Sequence, residues 1–312
     1  MNTTPPIRNA PSCADSGTEG LLSADEAEKR IFALLDPLDA AECCGVRQAL
    51  GRTLAEAVVA TINVPSHTNS AMDGYAVCAG DIAVDGYTEL DIIGTALAGK
   101  PFAGSLGRGQ CVRIMTGAKM PNGSDTVIMQ EQADSNDVRI RIDARHRRDE
   151  NVRQAGEDLA IGDVALPAGK RLTPADIGLL ASMGLGEVRV VRRLRVAFFS
   201  TGDELRSLGT PLAEGQIYDS NRYTLFGMLS RPGIEAYDLG VIPDRRDAVR
   251  KAFREASDVA DLVLTSGGVS VGEADYVTET LGELGEINFW RMAMKPGKPL
   301  AFGRLGKACL LY

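Results

Sequence analysis

Histidine is nearly absent: His67 and His146 are the only two in 312 residues. A zinc centre or a Ser-His-Asp triad is hard to assemble from so few imidazoles, which removes many hydrolase mechanisms. The six cysteines, Cys13, Cys43, Cys44, Cys78, Cys111 and Cys309, contain no C-x-x-C pair. They read as scattered, reduced thiols of a cytosolic protein, not as a metal cage or a disulfide frame. Basic side chains are outnumbered, 34 against 42 acidic, for a net charge of −8. That balance disfavours a dedicated nucleic-acid binder. No apolar run approaches the roughly 18 residues that a membrane-crossing helix needs. The first twenty residues hold one basic side chain and no apolar core segment, the texture of a disordered tail and not of a signal peptide. The chemistry therefore falls to carboxylates, lysines, hydroxyls and backbone amides, in a cytoplasmic protein with neither nucleic acid nor membrane as partner.

What is present suffices for a sizeable core. The apolar fraction is 44%, and 312 residues are enough for two or three domains of about 100–200 residues each. Order is expected from Ser23, where Ser23 and Glu26 form an S-x-x-E capping box ahead of Ile31, Leu34 and Leu35, and Pro37 stops the run. A second helix is expected over Val46–Val59, with Leu50, Leu54 and Val58 on one stripe. Residues 63–149 alternate glycines with short β-prone runs such as Gly74–Val77, Gln110–Met115 and Thr126–Met129, the pattern of a small β-rich domain. A helix capped by Thr173 is expected over Pro174–Met183. Neither 21–62 nor 150–188 looks self-sufficient, so the two are expected to pack together as an elongated mixed domain into which the β-rich piece is inserted. From residue 189 onward three strands, Arg195–Ser200, Glu235–Val241 and Asp261–Thr265, alternate with three helices. That is the signature of a doubly wound α/β domain with a parallel sheet, and such sheets bind ligands beyond the carboxyl ends of their strands.

The residues at those ends carry chemistry. After the third strand runs Ser266-Gly267-Gly268-Val269-Ser270-Val271-Gly272. Its glycines let backbone amides approach an anion, and the following helix presents its positive end there. The run matches neither G-x-x-x-x-G-K-[ST] nor G-x-G-x-x-G, which excludes the P-loop and the dinucleotide fingerprint; a tight turn without ligand is the alternative. Lys295-Pro296-Gly297-Lys298-Pro299 holds two of only eight lysines in a stiff turn, a pair of point charges suited to an oxyanion or to a solvated loop. Glu204, Asp244 and Asp275 would converge beside them, as carboxylates do that hold Mg²⁺ together with substrate phosphates. Helix capping by Asp244 and Asp275 is the plainer reading.

Seven segments, NSAMDGYAV (69–77), RIMTGAKMPNGSDTVIMQEQ (113–132), GEDL (156–159), STGDEL (200–205), IYDSNR (217–222), TSGGVSVGEADY (265–276) and KPGKPLAFG (295–303), resemble the molybdopterin molybdenumtransferase (MoeA) family, which includes the E domain of gephyrin. The resemblance runs from Leu21 to the last residue. It implies a multidomain α/β plus β fold, with a doubly wound (MogA-like) domain over 189–312. It also implies an activity: adenylylated molybdopterin and molybdate bind in a cleft, the adenylate is cleaved with Mg²⁺, and molybdenum enters the dithiolene, releasing AMP. The family resembles elongated homodimers in which the α/β domain of one subunit and the β-rich domain of the other form each cleft. Contacts with the molybdopterin adenylyltransferase and apo-molybdoenzymes are further implied partners.

By the same resemblance Ser270, Lys295, Lys298 and Pro299 match residues that hold molybdate. Gly267, Gly268, Gly272 and Gly297 match the pterin-phosphate turns. Glu204, Asp244 and Asp275 match acids that handle Mg²⁺ and nucleotide, and Asp73, Thr116 and Asp158 match further residues on which activity depends. Arg291 stands where a lysine is common in the family, keeping the charge but changing the donor geometry. In the family a glycine-proline turn, a closing helix and a small β-domain follow the strand read at Ala308–Tyr312, and part of the molybdate site lies on them. The expectation is thus either a piece of a longer enzyme or a truncated, inactive product. A non-catalytic molybdopterin-binding or scaffolding module is the competing class.

Overall fold

The computed structural model describes residues 21–267, 276–293 and 299–311. The chain divides into two compact units: residues 43–190 form one, and 191–312 with the segment up to 42 form the other.

In the 43–190 unit a six-stranded sheet runs in the order Thr126–Met129, Gly74–Val77, Gln110–Ile114, Tyr87–Ala96, Arg139–Asp143, Asp134–Ser135. Its residues alternate between faces, as the two-residue period of a strand requires. Tyr75, Val77, Cys111 and Ile128 enter one apolar cluster, and Ala76, Val112, Ile114 and Val127 another. A third cluster joins Leu54 and Ala60 to Leu166, Leu172, Leu180 and Val190, bringing the two flanks of the β-rich segment into one core. There α2, Pro174–Ser182, starts on a reciprocal cap: the Asp176 N–H donates to Thr173 Oγ1, while Thr173 N–H and Oγ1 donate to the Asp176 carboxylate at 2.8 and 2.7 Å.

The helix expected over Val46–Val59 is not formed. Residues 45–52 make a tight turn in which Gly51 adopts φ +74°, a left-handed conformation that interrupts a helix. Beyond it, the N–H groups of Leu54 and Ala55 donate to the carbonyls of Lys170 and Arg189, and Val58–Val59 pairs with Val164–Leu166. Long-range strand pairing satisfies the backbone that a local helix would have satisfied, and only Leu54 of the supposed stripe is fully buried.

The other unit carries a six-stranded sheet in the order Ile234–Ile242, Leu194–Thr201, Leu262–Ser266, Ala308–Leu311, Pro299–Leu305, Glu286–Arg291. The first four strands are parallel, Pro299–Leu305 runs against them and Glu286–Arg291 pairs antiparallel with it, a mixed edge that the expected parallel sheet lacked. One face is covered by α4, Arg246–Val259, and α5, Tyr276–Leu284, around Phe199, Phe253, Val263 and Leu281. Phe199 and Phe253 meet edge to face at 5.1 Å. The other face receives α3, Ser220–Leu229, through Leu225 and Leu229 against Val196 and Phe198.

The first helix, α1 (Ala24–Leu34), is capped by Ser23, whose Oγ accepts the Glu26 N–H at 3.2 Å. The Glu26 carboxylate turns to Arg30 at 2.9 Å, so half of the capping box is used. This segment belongs with the α/β unit: Leu22 bridges Met292, and Asp36 pairs with Arg304 at 2.6 Å. The grouping of all of 21–62 with 150–188 is thereby divided near residue 42. No helix among the described residues is long and apolar enough to cross a membrane.

Candidate functional site

The parallel strands locate the crevice. From Leu194–Thr201 the chain moves to Ile234–Ile242 on one side and then to Leu262–Ser266 on the other, so the winding reverses between the first and third of these strands. At such a reversal the loops leaving the two strands part in opposite directions and open a cleft at the carboxyl ends. Here the cleft is flanked by Thr201-Gly202-Asp203-Glu204 and Ser266-Gly267.

Gly267 is dictated by packing. Its φ is +89°, and a Cβ built on it would lie 2.5 Å from the Thr201 carbonyl oxygen. Only a residue without a side chain lets the two strand ends approach so closely. Ser200, Thr201 and Thr265 are buried there, and their hydroxyls have no partner among the described residues. By strand alternation Thr201 and Thr265 lie on the Phe199 face of the sheet and Ser200 on the Phe198 face.

The amino end of α3 completes the group. Asp219 caps it by accepting the Arg222 N–H at 3.1 Å. The buried Arg222 guanidinium ties that turn to Asp219 at 3.2 Å and to Asp238 at 3.0 Å. Asp238 adjoins a bulge in the Ile234–Ile242 strand, where Phe198 and Ser200 face Asp238 and Val241. The same turn presents Asn221, whose Nδ2 donates to Ser266 Oγ at 3.1 Å. The positive end of α3 therefore stands at the carboxyl end of the third strand, favouring an anion.

The acids gather as well. The Asp244 N–H donates to Asp203 Oδ1 at 3.2 Å. The Asp244 carboxyl is held above its ordinary range, first by loss of water and then by the charges of Asp203 and Glu204. Asp244 is not the cap it could have been: α4 begins at Arg246, and Arg245 occupies the cap position. Asp203 joins the cluster unannounced, although its place directly after a strand was the available signal.

A second polar centre lies in the 43–190 unit, where Asp73 and Thr116, far apart in sequence, are in contact. Thr116 N–H and Oγ1 both donate to Asp73 Oδ1 at 2.7 Å. Those bonds, chiefly the backbone one, hold the Asp73 carboxyl below its usual range, with a smaller contribution from the Arg113 charge. Arg113 is clasped by Tyr75 and Gln130 and was not singled out in the sequence. Asp158 stands apart from this contact: it is exposed, and its N–H donates to the Val64 carbonyl at 3.0 Å.

Of the remaining candidates, Pro299 opens the antiparallel strand Pro299–Leu305. Gly268, Ser270, Gly272, Asp275, Lys295, Gly297 and Lys298 lie outside the described residues. Among the described residues no three His, Cys, Asp or Glu side chains form a metal cluster.

Comparison with known proteins covers both units. Residues 22–184 match the MoeA N-terminal region (domains I and II), and residues 197–310 match a probable molybdopterin binding domain. A molybdopterin molybdenumtransferase of Haemophilus influenzae is 45% identical over 289 residues, spanning 92% of this chain and 71% of that protein. Its namesake in a Nostoc species is 40% identical, over 86% of this chain and 64% of the relative. The gephyrin of Dictyostelium discoideum is 32% identical, over 94% of this chain and 45% of that protein. Among solved structures, a molybdopterin biosynthesis MoeA protein of Pyrococcus horikoshii superposes with a TM-score of 0.79 at 30% identity, covering 93% of this chain and 74% of the other.

Proposed function

This chain belongs to the molybdopterin molybdenumtransferase family, and from that membership we propose that it is a transferase of molybdenum cofactor biosynthesis, inserting molybdate into adenylylated molybdopterin with release of AMP. The observation that carries the reading is the reversal-point cleft, where Gly267 brings two strand ends together beside Glu204, Asp244 and the amino end of α3. Phosphate and pterin-phosphate groups suit such a place: backbone amides and a helix terminus offer donors, and the glycine leaves room for close approach. Molybdate, a tetrahedral oxyanion, is assigned to Ser270, Lys295, Lys298 and Pro299, and the pterin phosphate to Gly267, Gly268, Gly272 and Gly297.

The carboxylates fit a divalent cation. Asp244 is crowded by Asp203 and Glu204, with no basic side chain among the groups that act on it. Oxygen donors of this kind suit Mg²⁺, which takes one or two carboxylates and completes its shell with water and substrate phosphates. Glu204 and Asp244, with Asp275, would hold it, and when bound it would neutralise charge developing on the phosphoanhydride. The protein's own part is to hold those oxygens apart from basic partners and to orient the substrate phosphates over Gly267.

Asp73, Thr116 and Asp158 are assigned to the same reaction through a homodimer, in which the β-rich unit of one copy completes the cleft of the other. In favour of an assembly, Val59 and Val164, directly paired across two strands, are both exposed apolar residues that a second copy would cover. Contacts with the molybdopterin adenylyltransferase and with apo-molybdoenzymes, in the cytoplasm, belong to the same proposal. The deciding experiment supplies adenylylated molybdopterin, Mg²⁺ and molybdate. AMP release coupled to cofactor formation is the expected result, whereas tight binding without turnover would overturn the reading in favour of a binding module.

A further inference from the structure

Asp73 is held from more sides than its own turn requires. Its Oδ1 takes two bonds from Thr116, and its carbonyl accepts the Gln130 N–H at 3.1 Å. The Gln130 side chain does not stop there: its Oε1 accepts Arg113 Nη2 at 2.7 Å, and its Nε2 donates to Glu131 at 3.1 Å, which fixes the direction of the amide. Arg113 lies three residues before Thr116 on the strand Gln110–Ile114, paired in antiparallel register with Tyr75. Its Nη1 donates to the Tyr75 hydroxyl at 2.8 Å, and its guanidinium sits 5.1 Å from the centre of that ring. The tyrosine is buried, so this clasp has a rigid floor.

The contacts close a ring: Asp73 to Thr116, along the chain to Arg113, across to Gln130, and back to Asp73. Every hydrogen-bond partner of Arg113 in it is neutral, and no carboxylate lies within ion-pair distance of Arg113 among the described residues. An arginine fixed by neutral groups keeps its full charge available to act nearby. We propose that Arg113 is the positioning residue of Asp73, keeping that carboxylate aimed for the reaction through the ring formed with Tyr75, Gln130 and Thr116. The proposal rests on the assignment of Asp73 to molybdate insertion. It adds that an arginine which touches no substrate governs how well Asp73 works.

The test reads Asp73 directly. Among the described residues the charged group that acts on it is Arg113 on the neighbouring strand. In the full-length chain, Arg113→Met removes the charge and keeps much of the volume. The expected result has three parts: the carbon-13 resonance of the Asp73 carboxyl titrates at higher pH than in the native protein, kcat falls by about tenfold to a hundredfold, and KM for adenylylated molybdopterin changes little. Arg113→Lys restores the charge and recovers part of kcat. An Asp73 titration that does not move, or an unchanged kcat, overturns the proposal. Should Arg113→Met fail to fold, Gln130→Ala opens the ring with the charge retained, and an unchanged kcat in that variant also overturns it. If the native protein makes no cofactor, the functional reading falls, while the titration still decides whether Arg113 governs Asp73.

Discussion

Asp73 and Asp244 are both exposed aspartates at strand ends, one in each unit, and their surroundings push them in opposite directions. Asp73 receives two hydrogen bonds from Thr116 and the field of an arginine, so its charge is favoured. Asp244 has lost water and faces Asp203 and Glu204, so its charge is disfavoured. The first is an anion already satisfied by protein, fit to orient a donor on the substrate. The second is crowded by two further acids, and no basic group is among those that act on it. One residue type is thus held in two opposite electrostatic settings, and the neighbours decide which.

The largest effect expected is the loss of one centre with the other left intact. Gly267→Val places a branched side chain where φ is +89° and where a Cβ would be 2.5 Å from the Thr201 carbonyl. Backbone strain alone costs about 1–3 kcal/mol, and the collision must push the strand ends apart. Turnover should vanish and the melting temperature fall, while the Asp73 carboxyl still titrates below its ordinary range. If both centres change together, the two units are coupled more tightly than their separate cores imply.

Next in size are the paired substitutions Asp73→Asn and Asp244→Asn. Each should lower turnover on the order of a hundredfold. They should differ in cation dependence. Asp244→Asn raises the Mg²⁺ concentration needed for half-maximal rate, and Asp73→Asn leaves it unchanged. Mg²⁺ should stabilise the native fold by about 1.4 kcal/mol at ten times its dissociation constant, and stabilise the Asp244 variant less. Mixing Asp73→Asn subunits with Lys295→Ala subunits should restore activity, because one cleft of each mixed dimer then carries no lesion. Absence of recovery would remove the shared cleft.

These contrasts rest on features of unequal legibility. The parallel strands were readable because each is a short apolar run bounded by turn residues, and the rule that ligands sit beyond strand ends led directly to Glu204 and Asp244. Thr173 was readable as a cap because a short oxygen-bearing side chain before an apolar run has few other uses. The supposed helix over Val46–Val59 was misread because its period suits a helix until Gly51, and only the distant segments at 164–172 and 189–190 reveal the competing strand partners. Arg113 and Asn221 were invisible for a similar reason. Their roles come from cross-strand and helix-to-strand contacts 17 to 45 residues apart, which no local pattern encodes.

The smallest effect is the one that tests the opposition itself, through stability against pH. The ordinary value for both carboxyls is 3.8. Asp73 is lowered, so the folded state binds its proton less tightly than the unfolded chain. Its contribution is complete above 3.8 and is lost as the pH falls through its folded value. Asp244 is raised, so the folded state binds its proton more tightly. A cost appears as the pH climbs from 3.8 through the folded value, and it persists at neutrality. At pH 7 without Mg²⁺, Asp73→Asn should therefore melt lower than the native protein and Asp244→Asn slightly higher, the latter by less than about 0.5 kcal/mol since the site is open to solvent. Both differences should close on acidification, below about pH 4 for Asp244, where the native carboxyl is as neutral as the amide that replaces it. A melt in which both variants shift the same way would mean that the two aspartates share one environment, and the division of labour between them would go with it.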